Sequence, residues 1–227
     1  VPGFVAADTG MDVLTHATEA YVSQMASDFT DGLALQAIKL VFENLESSVK
    51  NADFHSREKM HNASTIAGMA FANAFLGMSH SMAHKIGGVH HTVHGRTNAI
   101  LLPYVIRYNG TRPSKTTTWP KYNYWKADEK FQDIARMLGL PHSTPEEAVE
   151  AYAKAVYELG VAVGIKMNFK DQGIDEKAWK DSLHEIALLA YEDQCSPANP
   201  RLPMVADMEE IMADAYYGYA ERPGRRK

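Results

Sequence analysis

A single cysteine, Cys195, is all the thiol chemistry in this 227-residue chain. No intrachain disulfide can form, and a reducing cytoplasm is the natural setting for such usage. Long apolar runs are missing as well. The most apolar stretch, Ile66 to Met78, is too short to span a bilayer and contains Asn73. No basic, apolar leader opens the chain. A strong excess of one charge sign is missing too: the formal net charge is −5, which argues against a general affinity for nucleic acid or anionic membrane. Strand-like alternation is nearly absent. Also missing are Gly-x-Gly-x-x-Gly, a Walker loop, a Gly-x-Ser-x-Gly elbow and His-Glu-x-x-His, so the chain carries no recognisable phosphate cradle and no zincin centre.

What remains is helical patterning. Asp8 or Thr9 can cap a helix from about Gly10 to Val22. A second helix begins near Thr30-Asp31 and carries Ala34, Ile38, Val41, Phe42 and Leu45. A third, about Ser56 to Phe75, is rich in Ala and Gly and is expected to be the central core helix. The His80–His84 segment reads as a short helix stopped by Gly87-Gly88. His94 falls in a loop before a helix from Thr97 to Tyr108, and 109–128 reads as an irregular surface excursion. Thr144-Pro145-Glu146-Glu147 is a capping box with Pro at the first helical position. That helix runs to about Leu159, another starts near Asp175, and the last spans about Ala206 to Tyr217. The expectation is an all-α helical bundle over residues 1–227, with 222–227 a flexible tail.

Chemistry concentrates in two segments. Asp12 and His16 stand at i and i+4 in Gly10-Met11-Asp12-Val13-Leu14-Thr15-His16, so both project from one helical face. Taken alone, such a pair is usually a surface pair. The second segment holds His80, His84, His90, His91 and His94, five of the ten histidines, among residues that otherwise read as core. That density of titratable rings calls for an ion or for proton transfer. Asp12, His16, His80 and His94 make a set of one carboxylate and three imidazoles without thiolate, suited to Fe(II), Zn(II) or Ni(II). Glu58-x-x-His61 is a lone Glu-x-x-His, and a di-iron bundle needs two, so His61 reads as a helix-surface residue. Cys195 has no activator nearby in sequence and reads as a buried thiol.

The Gly10–Tyr21 segment, Ala67-Gly68-Met69-Ala70-Phe71-Ala72-Asn73 and the His80–Gly95 segment resemble the iron-dependent (group III) alcohol dehydrogenases. Asp193-Gln194-Cys195 through Asn199-Pro200-Arg201 and the ending Ala215-Tyr216-Tyr217-Gly218 are similar to the branch formed by bifunctional aldehyde-alcohol dehydrogenases. The resemblance implies the C-terminal helical domain of that fold, with Asp12, His16, His80 and His94 as metal ligands and Fe(II) as the metal, Zn(II) a substitute. It implies a non-ligand catalytic role for His84 in a proton relay. Phe71 would pack near the nicotinamide of NAD(H), and Cys195 would line the substrate entrance. The implied reaction interconverts a short-chain alcohol and its aldehyde, ethanol and acetaldehyde in first place. The implied partners are a dinucleotide-binding domain that precedes this one and further copies in a homo-oligomer or filament. The chain starts without Met, reaches its first ligands at once and lacks that domain, so a fragment inactive by itself is expected. Two other readings compete: a zinc-dependent glycerol dehydrogenase- or dehydroquinate synthase-like enzyme, and a helical assembly module.

Overall fold

The computed structural model describes residues 1–113 and 125–218. Among them it forms nine α-helices and no strand: α1 (Gly3–Val22), α2 (Asp28–Lys50), α3 (Phe54–Ala74), α4 (Met78–His90), α5 (His94–Gly110), α6 (Ala127–Met137), α7 (Pro145–Ala162), α8 (Glu176–Tyr191) and α9 (Val205–Tyr217). None of these helices is long and apolar enough to cross a membrane. The expected all-α architecture is what the chain adopts.

Two helices form the centre. α1 packs on α2, α3, α5 and α6, while α5 packs on α1, α4, α6, α7 and α9. Met11 and Leu14 of α1 and Leu101 and Ile106 of α5 are fully buried, each contributing roughly 1.5–3 kcal/mol of apolar transfer free energy. α1 begins a full two turns before Gly10. Thr9 does not cap it, because the Thr9 hydroxyl donates to Val5 O within the helix at 2.8 Å. The approach of α5 to α1 is set by Gly95, where an added Cβ would fall 2.2 Å from Asp8 O. Beside it, Arg96 donates two hydrogen bonds of 2.9 Å to the Asp8 carboxylate, a bidentate clasp between the two helices.

The expectation that Ser56–Phe75 is the central helix is corrected. α3 buries only Ser56, Ala63, Ala67, Ala70 and Ala74. Those small side chains form one stripe, which lets α3 lie close against α2 and α1, while Met69 and Phe75 stay exposed. Small residues on one face signal a close approach, not a central position.

α4 is longer than expected. Gly87 and Gly88 lie inside it, and the helix stops at His91, which takes the left-handed conformation at φ 54°. Glycine permits a stop without imposing one. His94 accordingly opens α5 instead of sitting in a loop. α6 starts inside the expected excursion and buries Phe131 and Ile134, Phe131 lying against Tyr152 of α7. The 109–128 excursion is narrowed, since α5 reaches Gly110 and α6 starts at Ala127; residues 114–124 and the expected tail at 222–227 lie outside the described residues. At α7 the Thr144 side chain accepts from Glu147 N, and Glu147 reaches back to Ser143 N, one residue before the cap.

Candidate metal centre

Asp12, His16 and Glu19 occupy positions i, i+4 and i+7 of α1, so they share one side of that helix. His80 and His84 come from the first two turns of α4, and His94 is the first residue of α5. The three helices converge here. His80 Nε2 lies 3.8 Å and His94 Nε2 3.5 Å from Asp12 Oδ1, and His16 Nδ1 lies 3.9 Å from Asp12 Oδ2. One donor atom each from Asp12, His16 and His80 fits within 4.8 Å of the others, a spacing that an ion could bridge. The His16 and His80 rings are stacked 4.5 Å apart.

The donor set fits a divalent ion on a specific count. His80 is 1% exposed, its Nδ1 is 2.6 Å from Glu19 Oε2, and its Nε2 has no hydrogen-bond partner among the described residues. With Nδ1–H donated to the carboxylate, Nε2 presents a bare lone pair toward Asp12. A buried acceptor left unsatisfied costs about 1–3 kcal/mol, and an ion would satisfy it. Burial, and then the neighbouring His80, pushes His16 down to about 4. His16 is therefore neutral at pH 7, the ligating form. Burial also lowers His94. His94 is the most open of the group and accepts from Asn98 Nδ2 at 3.2 Å; the same amide donates to Asp12 Oδ1 at 2.9 Å.

α4 begins without a side-chain cap of its own. Its first N–H groups are taken from afar: Gly77 N and Ser79 N donate to Glu19, and Met78 N donates to Asn199 Oδ1. A carboxylate at this end is also favoured by the helix dipole. Asn199 exchanges further hydrogen bonds with Asn109 of α5, and its backbone O accepts from Gln24 just past α1.

His84 stands on the next turn of α4 and does not join the three converging donors. Its Nδ1 is 3.2 Å from Asp193 Oδ2, an oxygen that Lys85 Nζ also reaches at 2.8 Å. Asp193 Oδ1 accepts from Cys195 N at 3.0 Å. Burial works against Asp193 ionising, yet the hydrogen bonds from Lys85, Cys195 N and His84 hold its carboxyl below the usual range. Donor atoms of His84, Asp193 and Cys195 also lie within 4.8 Å of one another. Here the Lys85 ammonium already supplies the positive charge, so no ion is called for. Cys195 is buried, and burial together with the Asp193 charge pushes its thiol up to about 12. Phe71 of α3 stacks on His16, ring centroids 4.6 Å apart. His61 is exposed on α3.

Sequence reasoning assigned no role to Glu19, Lys85, Asn98 or Asp193. Glu19 was within reach, because it continues the Asp12–His16 spacing by one more turn. Lys85, Asn98 and Asp193 carry no such signal.

A family model described as "Fe-containing alcohol dehydrogenase family, C-terminal" matches residues 6–216. An aldehyde-alcohol dehydrogenase of Streptococcus pneumoniae serotype 2 (strain D39 / NCTC 7466) is 86% identical over 227 residues, all of this chain and 26% of that protein. The chain thus spans about a quarter of the length of that relative. The solved structure of a 1,3-propanediol oxidoreductase superimposes with a TM-score of 0.83 at 36% identity, covering 95% of this chain and 53% of that one. The structure of sulfoacetaldehyde reductase from Bifidobacterium kashiwanohense in complex with NAD+ gives a TM-score of 0.78 at 26% identity, covering 96% of this chain and 52% of that one.

Proposed function

The chain belongs to the iron-containing alcohol dehydrogenase family, as its C-terminal part, and on that premise we propose that it is the metal-bearing half of an NAD-linked alcohol dehydrogenase. The reaction is the interconversion of a short-chain alcohol, ethanol first, and its aldehyde. Asp12, His16, His80 and His94 hold the ion, Fe(II) in the cell with Zn(II) a substitute. When bound, the ion supplies Lewis acidity toward the reacting oxygen, and NAD supplies the hydride chemistry.

The chain's own residues do the rest. Glu19 and Asn98 orient His80 and Asp12. His84, fixed through Nδ1 by Asp193, keeps Nε2 available to hold or pass a proton. Cys195 flanks His84 as a neutral thiol. Phe71 covers His16 and offers its other face to a nicotinamide ring.

The observation that carries this reading is the buried His80 Nε2, which faces Asp12 and has no hydrogen-bond partner among the described residues. Dinucleotide affinity comes from outside residues 1–227 on this reading, since the chain covers only 53% of the 1,3-propanediol oxidoreductase structure. The test is elemental analysis after anaerobic purification. About one divalent ion per chain is expected, a chelator should lower the melting temperature, and this chain alone should not reduce NAD with ethanol. Undiminished metal content in both His16→Ala and His80→Ala would refute the site. Robust ethanol oxidation by the chain alone would refute the division of labour.

A further inference from the structure

Glu19 is 2% exposed, and among the described residues its ion-pair partner is His80 rather than a lysine or arginine. A carboxylate that deep is costly unless it is hydrogen-bonded and its charge is answered. The hydrogen bonds are complete. Oε1 accepts from Ser79 N at 2.7 Å, and Oε2 accepts from Gly77 N at 3.0 Å and faces His80 Nδ1 at 2.6 Å. The two backbone donors lock the plane of the carboxylate at the start of α4, and the carboxylate in turn locks the imidazole. Gly77 makes the close approach possible, because an added Cβ would lie 2.9 Å from Glu19 Oε1 and 2.7 Å from Asn199 Oδ1.

The neighbouring rings lack this support. Among the described residues His16 Nδ1 has only Asp12 Oδ2 at 3.9 Å, beyond hydrogen-bond range, and His94 accepts from a neutral amide. Ser79 links the two supports of the site: its N–H goes to Glu19 and its hydroxyl donates to Asn98 Oδ1 at 3.1 Å, while Asn98 holds Asp12. Among the three candidate imidazole ligands, and within the described residues, His80 is therefore the one whose tautomer and direction a buried carboxylate fixes before any ion arrives.

We propose that Glu19 is a positioning residue that holds His80 in the Nδ1–H tautomer with Nε2 aimed at Asp12, so that His80 is the preset anchor of the metal centre. The inference rests on the metal-centre reading above. Carboxylates behind a ligating histidine raise its basicity and fix its orientation, and their loss typically costs 10–100-fold in metal affinity. In Glu19→Gln the amide NH2 faces at least one backbone donor, so at least one of the three hydrogen bonds must fail and the imidazole loses its anionic partner.

The experiment uses the 227-residue chain and Co(II) as probe, in anaerobic competition with a chelator. Folded Glu19→Gln should bind Co(II) roughly 10–100-fold more weakly than the unaltered chain. Long-range 1H–15N spectra of the metal-free, unaltered chain should show His80 protonated at Nδ1, the resonance being assigned by its loss in His80→Gln. Equal Co(II) affinity in Glu19→Gln, or His80 protonated at Nε2, would overturn the proposal. A lower melting temperature of metal-free Glu19→Gln with unchanged Co(II) affinity marks a purely structural residue and overturns it too. If the unaltered chain binds no Co(II), the metal-centre reading fails, and the His80 tautomer still decides the part played by Glu19. That spectrum also decides the matter if Glu19→Gln does not fold.

Discussion

His84 and Asp193 stand 109 positions apart in the chain, yet His84 Nδ1 lies 3.2 Å from Asp193 Oδ2. The pair gives His84 what a proton carrier needs, a ring fixed at one nitrogen and available at the other. In the intact enzyme His84→Ala should lower turnover roughly 10²–10⁴-fold, the usual range for general acid–base assistance, with metal content nearly unchanged. Steady-state kinetics together with elemental analysis checks both halves. An emptied site would make His84 a ligand.

Gly95 is where α5 meets α1, and a methyl group there would press on the Asp8 backbone. Backbone cannot swing aside as a flexible side chain can. Gly95→Ala should therefore cost about 1–3 kcal/mol, the usual range for overpacking, read by urea denaturation. It should also weaken metal binding, because Asp12 and His94 sit on the two helices being wedged apart.

Acid should destabilise the metal-free chain through His16. Burial, followed by His80, puts its folded pKa at about 4, against roughly 6.5 in the unfolded chain. Above about 6.5 the ring is neutral in both states and costs nothing. As the pH falls from there to 4 the unfolded chain takes up a proton that the folded one refuses, so stability drops; below 4 the difference is constant. Urea midpoints measured across this window should fall less steeply in His16→Gln. Equal slopes would contradict the shift.

Cys195 should be slow to alkylate. A thiol pushed up to about 12 and buried holds almost no thiolate at pH 8. Iodoacetamide should modify the native chain far more slowly than the chain in urea, with mass spectrometry reporting the adduct. Similar rates would place the thiol in the open.

The helical class was legible because periodicity reports which residues avoid water. It does not report which neighbour they meet, and that is why α3, with its dense small residues, was taken for the centre while α1 and α5 occupy it. The start of α7 was legible because Thr144, Pro145 and Glu147 act within one turn. The cap of α4 was not, since Glu19 and Asn199 reach it from distant parts of the chain. The candidate ligands were visible as residue types at recognisable spacing. Their supports were less so: Asp193 comes from a loop after α8, and nothing in its local sequence says it will lie beneath His84.

The stretch from Asp193 to Asn199 contributes none of the four candidate ligands, yet it holds His84, Lys85 and the first turn of α4 in place. A chain shortened to stop before Asp193 would keep Asp12, His16, His80 and His94 in its sequence and still lose the frame around them. The presence of the ligands alone would then misreport competence. Removal of the segment that follows α8 would thus strip the centre of its frame without touching a single candidate ligand.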